Sequence, residues 1–278
     1  MDHLDSMWSG EALNRRCFTR YMVVVSNRLI HRHVESPLLR EAYSFLREDV
    51  EIQSYLRMSN VMAVKRLGYN DHGPVHAKII AGSALEIFKH LTTRVEPSSV
   101  VNGVCDYEDA ELIVLLGAYL HDLGNAVHRV DHEQNSVVLA SAPLGRLLNH
   151  IYPDDPGLAY RVKCEVLHAL YSSNDLVSCL SVEAGAVTVA DGTDMAEGRS
   201  RVPYMAGKND IHAISAQAIK RVEILRGEEK PVKIQVTMEN PAGIFQIQEV
   251  LGNKIESSGL RELVGVVANM NGEEMKTF

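Results

Sequence analysis

The chain has 278 residues, of which 46% are hydrophobic and 23% charged, and its formal net charge is -8. Such a composition belongs to one large globular domain, or to a medium one with a small partner, and excludes a disordered polymer, a collagen and a disulfide-dense miniprotein. The acidic balance argues against an extended nucleic-acid surface or an anionic-membrane role, and no apolar run reaches the roughly 18 residues that a spanning helix needs.

Residues 1–25 mix Asp2, Asp5, Glu11, Arg15, Arg16 and Arg20 with few apolar positions. They read as a weakly ordered extension, with Met22 as an alternative beginning. The run Met22-Val23-Val24-Val25 is too short for a signal peptide. Cys17, Cys105, Cys164 and Cys179 form no C-x-x-C pair and no regular framework, so reduced thiols in a cytoplasm are expected.

From residue 35 to 195 apolar residues recur at spacings of three and four, predicting helices near 36–58, 74–92, 107–121, 133–151, 157–172 and 181–196. Pro74 can open the second at its first position. The third is almost wholly apolar, with Leu112, Ile113, Leu115, Leu116, Tyr119 and Leu120, so it belongs in the middle of a bundle. Asp106, with Asp109 three residues on, suits its N-cap, and Gly124 suits its termination.

The pattern changes near residue 215. Ile219, Val222, Ile224 and Leu225 lead to the turn Arg226-Gly227-Glu228, and Val232 to Val236 alternates apolar and polar. Asn240-Pro241 ends that strand, a helix is expected over 242–254, and Leu263 to Val267 reads as a last strand. The chain is therefore expected to be mainly α: a helical domain over 26–214, then a small α+β module over 215–278. That module is expected to dock on the bundle or to build a homodimer.

Histidine is over-represented: twelve residues, half of them between His72 and His132. His121-Asp122 ends the most apolar helix, where two polar groups are costly unless paired or metal-bound. A C-capping histidine beside a surface aspartate would explain the pair equally well. His72 precedes a helix in Asn70-Asp71-His72-Gly73-Pro74-Val75-His76, and Asp191 ends another apolar segment in Val189-Ala190-Asp191-Gly192-Thr193-Asp194.

This ordered set resembles the HD-domain superfamily of metal-dependent phosphohydrolases. The strings RLGYNDHGPVHAKI, LHDLGNAVHRVDHE, VADGTDMAEGRSR and NDIHAIS resemble a group of archaeal and bacterial HD proteins, and ENPAGIFQIQEVL extends that likeness into the C-terminal module. The resemblance implies an HD-type helical bundle in which His72, His121, Asp122 and Asp191 bind one metal. It also implies His132 and His168 as ligands of a second, with Asp122 bridging. One or two divalent transition ions (Fe, Mn, Zn, Ni or Co) suit imidazole with carboxylate.

The implied activity is hydrolysis of a small phosphorylated substrate, a nucleotide or other metabolite, by a metal-activated water. Asp122, His128 and His76 are the catalytic candidates. His76 is a ligand, a group that supports a ligand, or a substrate contact, with the last two favoured. Arg129 can bind a phosphate beside a proton-donating His128, although a solvated basic pair explains both. Arg199 and Arg201 are phosphate contacts or an ordinary surface loop. Asp194 can orient a metal ligand. His3, His31, His33, His90 and His150 read as structural or exposed. Two other classes share the ligand set: HD-fold di-iron oxygenases, and HD modules that sense a ligand without turnover. Glycine-turn likeness to amino-acid-sensing modules at Pro241 to Phe245 is outweighed by a purely structural role.

Overall fold

The computed structural model describes residues 23–196 and 211–276; the expected extension lies outside these as far as residue 22, and so do Arg199 and Arg201. Helices begin where the sequence offers an oxygen cap. α1 (Pro37–Glu48) opens on Ser36, whose hydroxyl accepts the Leu39 N–H, with proline at the first position. The helix expected over 36–58 is broken at Asp49, which turns extended and accepts the Ile52 N–H at 2.9 Å to start α2 (Val50–Asn60). A short carboxylate captures backbone N–H groups, so it ends one helix and caps the next.

A π-helical turn, Val61–Arg66, leads to α3 (Pro74–Leu91) and the single-turn α4 (Ser98–Val101). α5 (Tyr107–Leu120) opens on the Asp106–Asp109 capping box. It is followed by α6 (His132–Ile151), α7 (Pro156–Tyr171), α8 (Val182–Thr193) and α9 (Ile211–Gln217). α5 is the axis of the bundle. Its Leu112, Ile113, Leu115, Leu116, Tyr119 and Leu120 are fully buried between α3, α7 and α8. Each such side chain contributes about 1.5–3 kcal/mol by leaving water, which is why an apolar helix takes the central position.

Gly124 does not end α5 as a left-handed cap. It lies in a 3-10 turn, Leu123–Ala126, pressed against the start of α6, where a Cβ would sit 1.9 Å from the His132 carbonyl oxygen. Its N–H donates to Ser136 Oγ at 2.8 Å, and that hydroxyl donates to His121 O at 2.6 Å. Close approach, not helix termination, is what glycine provides here.

The C-terminal sheet is mixed, in the order β1-β2-β3-β4. β1 (Ile219–Arg226) and β2 (Val232–Met238) are antiparallel; β3 (Val264–Met270) runs parallel to β2; β4 (Glu273–Lys276) returns antiparallel to β3. Between β2 and β3 runs α10, residues 243–257, made of Gly243–Phe245, a π-helical run Gln246–Gly252, and Asn253–Ser257. β4 was not anticipated. Its signal is Asn271-Gly272, both with positive φ (56° and 86°), the residue pair that a tight two-residue hairpin demands.

The module docks along α8. Added methyl groups at Gly185 and Gly192 would strike Ser258 O at 2.6 Å and Leu251 Cδ1 at 3.0 Å, so these glycines let α8 and the module approach. One continuous cluster of buried side chains extends from Ile30 through the bundle to Ala268. Val23 and Val25, assigned to the extension by sequence, pair with β1 through Ile224 N to Val23 O and Val25 N to Val222 O, each 3.0 Å. No helix among the described residues is long and apolar enough to cross a membrane.

Candidate metal centre

Three elements bring the site together. The first is the entry to α3. Asn60 accepts the His72 N–H at 2.8 Å and donates to Asp71 Oδ2 at 3.0 Å, while Asp71 Oδ1 accepts the Gly73 N–H at 2.9 Å. This clamp holds His72 at the mouth of the helix and His76 one turn inside it. The second is the end of α5, where central packing of the helix carries His121 and Asp122 into the interior, 2% and 3% exposed. The third is the last turn of α8, which carries Asp191 and, just beyond, Asp194.

The ring nitrogens sort by their partners. His121 Nδ1 lies 2.8 Å from Ala118 O, which can only accept, so Nδ1 carries the hydrogen and Nε2 a lone pair. That Nε2 is buried and makes no hydrogen bond of ordinary length; its neighbours are Asp122 Oδ2 at 3.5 Å and Asp191 Oδ1 at 3.6 Å. His76 repeats the arrangement. Its Nδ1–H donates to Asp194 Oδ2 at 2.7 Å, and its Nε2 faces Asp122 Oδ2 and Asp191 Oδ1, both at 3.3 Å. Two imidazole lone pairs and two carboxylate oxygens thus face one another, each nitrogen 3.3–3.6 Å from both oxygens. Such a set repels itself unless a cation lies between, and neutral imidazole with carboxylate is a transition-metal donor set.

Two overlapping triads have metal-ligand geometry: His72, His76 and Asp122, and His76, His121 and Asp191. His76 belongs to both. Sequence reading favoured a supporting role or a substrate contact for it; the structure puts its ring between the other donors. His72 donates from Nδ1 to Asp122 Oδ2 at 2.7 Å.

Charges around the cluster reinforce one another. Burial opposes the charge on Asp122, but His121 and His72, with hydrogen bonds from His132 and His72, hold its carboxyl well below the ordinary range. Asn125 Nδ2 also donates to its Oδ1 at 2.8 Å. Burial likewise opposes the charge on Asp191, and Lys254 is the first of the groups that hold its carboxyl down. Lys254 comes from α10 in the C-terminal module. Its Nζ contacts Ser173 O at 2.7 Å, Asp175 Oδ1 at 2.8 Å and Asp191 Oδ2 at 3.0 Å. Sequence reading missed it: Lys254 lies three residues after the ENPAGIFQIQEVL string but far in the chain from the histidines and aspartates, and a lone lysine there carries no signal. Asn125 was within reach, standing inside the HDLGN string.

The other expected residues divide. His132 is brought to the site: its Nε2 lies 3.4 Å from Asp122 Oδ1 and its Nδ1 3.1 Å from Glu133 Oε2. Burial works against its charge, but Asp122 and Glu133 raise its pKa to about 9. Arg129 is half-buried beside it, with Nη1 3.0 Å from His132 Nε2. His168 is not brought there. It ends α7, where burial lowers its pKa and its Nε2 accepts the Leu180 N–H at 3.1 Å. His128 is exposed, and its Nδ1 accepts the Val130 N–H at 2.9 Å. Neither lines the cleft.

That cleft has a volume of about 820 Å³. His72, His121, Asp122 and Asp191 form part of its lining, as do Arg129 and His132; Gly68 to Asn70 contribute one stretch of wall and the 246–254 part of α10 another. Carboxylates outnumber fixed cations: Asp122, Glu133, Asp175, Asp191, Asp194 and Glu249 against Arg129 and Lys254.

Fold and site define a helical protein with a buried histidine–aspartate cluster, followed by a small mixed sheet. The chain is 48% identical over 233 residues to a Methanocaldococcus jannaschii protein called "Uncharacterized protein MJ1020"; the match covers 84% of this chain and 89% of that one. The chain belongs to the family of that archaeal protein. It matches no protein-family model and no solved structure.

Proposed function

We propose that the protein is a metal-dependent phosphohydrolase of the HD type, cleaving a small phosphoester such as a nucleotide in a reducing cytoplasm. The observation that carries this reading is that His76 Nε2 and His121 Nε2 each lie 3.3–3.6 Å from both Asp122 Oδ2 and Asp191 Oδ1, beside the cleft. A divalent transition ion held there would supply Lewis acidity and a water acidified to near neutrality. Asp194 fixes the His76 tautomer, and the Ala118 carbonyl fixes that of His121, as supporting hydrogen bonds do for metal-binding imidazoles. Arg129 faces the cleft, where a guanidinium can pair with phosphate oxygens. His132, whose charged form Asp122 and Glu133 favour, faces the same space and is the proton donor to the leaving oxygen once Arg129 has turned from its Nε2 to the phosphate. His168 faces elsewhere and takes no part; the overlapping triads, His72, His76 and Asp122, and His76, His121 and Asp191, would hold one ion or two.

The test is metal analysis of the purified protein together with chromogenic phosphomonoesters and phosphodiesters. We expect one or two bound transition ions per chain and nitrophenol release that disappears in Asp122→Ala and falls sharply in His132→Ala. An ion bound at full occupancy with no turnover of any phosphoester would sink the proposal.

A further inference from the structure

The geometry points to Lys254 as a positioning residue by which the C-terminal module completes the metal centre: it occupies Asp191 Oδ2 and leaves Oδ1 alone to face His76 and His121. This inference rests on the metal reading above and deepens it. Asp191 has two oxygens in different surroundings. Oδ1 lies 3.3 Å from His76 Nε2 and 3.6 Å from His121 Nε2, while Oδ2 lies 3.0 Å from Lys254 Nζ. A carboxylate so held can give an ion only one oxygen. Left free, it can rotate and give two.

The lysine is itself fixed. Its three N–H donors meet Ser173 O, Asp175 Oδ1 and Asp191 Oδ2, and its side chain is 12% exposed. The backbone puts it there: a Cβ on Gly192, next to Asp191, would lie 3.2 Å from Leu251 Cα and 3.4 Å from Lys254 Cβ, so glycine at 192 lets α10 lie directly on α8. Single-oxygen ligation keeps coordination positions open for water and substrate, as a catalytic rather than a closed site requires. Lys254 adds no ligand and touches no reacting atom; it acts through Asp191.

The test uses the full chain loaded with Co(II), whose visible absorption weakens as coordination number rises. Lys254→Met is expected to bind Co(II) at least as tightly as wild type, because a neighbouring positive charge is gone, but with a several-fold loss of visible-band intensity. Lys254→Arg, which keeps a cationic donor, should restore the wild-type spectrum. If the methionine variant does not fold, Lys254→Gln should move the bands the same way by less. Asp175→Asn, which weakens docking but leaves Lys254 on Asp191, should lower the Tm without altering the spectrum. Should Lys254→Met keep the wild-type spectrum, or Asp175→Asn lose intensity to the same extent, this inference falls while the metal reading stands. Wild-type protein that takes up no Co(II) would overturn both.

Discussion

Gly124→Ala tests how the site is assembled. A Cβ built on Gly124 falls 1.9 Å from His132 O, 2.5 Å from Ser136 N and 2.7 Å from Asn135 Cβ. Two of these atoms are backbone, so no rotamer change relieves the clash. Since ordinary contact begins at 3.4 Å, the first turn of α6 must retreat by about 1.5 Å. That movement breaks the Gly124 N–H to Ser136 bond and pulls His132 from Asp122. Overpacking of this kind costs about 3 kcal/mol, the upper end of the usual range, because the helix moves as a unit. For a chain of this size the Tm should fall by roughly 6–12 °C. Gly145→Ala, in the same helix, is the control. Its new methyl meets only Lys163 Nζ, at 3.7 Å, so it should stabilise the helix by roughly 0.5–1 kcal/mol. Circular dichroism melts of both variants, with phosphoester turnover, decide the matter. If Gly124→Ala melts with wild type and keeps full activity, the tight contact between the 3-10 turn and α6 is not what holds His132 in place.

Asp194→Ala removes the acceptor of the His76 Nδ1–H and should weaken metal affinity about 10–100-fold, read by competition with a chelator. Glu183→Ala removes a fully buried carboxylate that accepts Ser98 N–H, Ser99 N–H and Ser99 Oγ–H at 3.2, 2.9 and 2.5 Å; unfolding in urea should show a loss of about 1–3 kcal/mol. Burial opposes the charge on Glu86, but His33 at 2.8 Å and His90 at 3.1 Å hold its carboxyl well below the ordinary carboxylate range. A depressed folded-state pKa contributes stability that is complete above the unfolded value of about 4.3 and is lost as pH falls through the folded one. Urea melts between pH 3 and 6 should therefore show Glu86→Gln with a flatter acid limb than wild type; equal slopes would refute the pairing.

Local chemistry was legible in the sequence wherever it acts over a few residues. The Asp106 cap, the proline entry to α3 and the alternation in β2 each depend on neighbours within one or two turns, and each stands as the sequence implies. The break at Asp49 and the Asn271-Gly272 hairpin carried equally local signals that periodicity alone did not register. Of the residues singled out by the sequence and by its resemblance to HD proteins, His72, His121, Asp122, Asp191, His132 and Arg129 line the cleft.

Their division of labour was not legible. His72 and His76 are separated by one helical turn and look alike in sequence; only the direction in which α3 enters the bundle puts His76 between Asp122 and Asp191. His168 and His132 are both histidines on helices after the His-Asp pair, yet one caps a loop and the other borders the cluster. Lys254 reaches Asp191 across 63 positions of sequence because Gly192 on α8 lets α10 pack closely against it. By itself the sequence determined which side chains were available and which helix had to be central, since propensity, capping and apolar content are properties of short stretches. Tertiary structure alone decided which nitrogen and oxygen lone pairs meet, because that depends on the packing angles of helices distant in the chain.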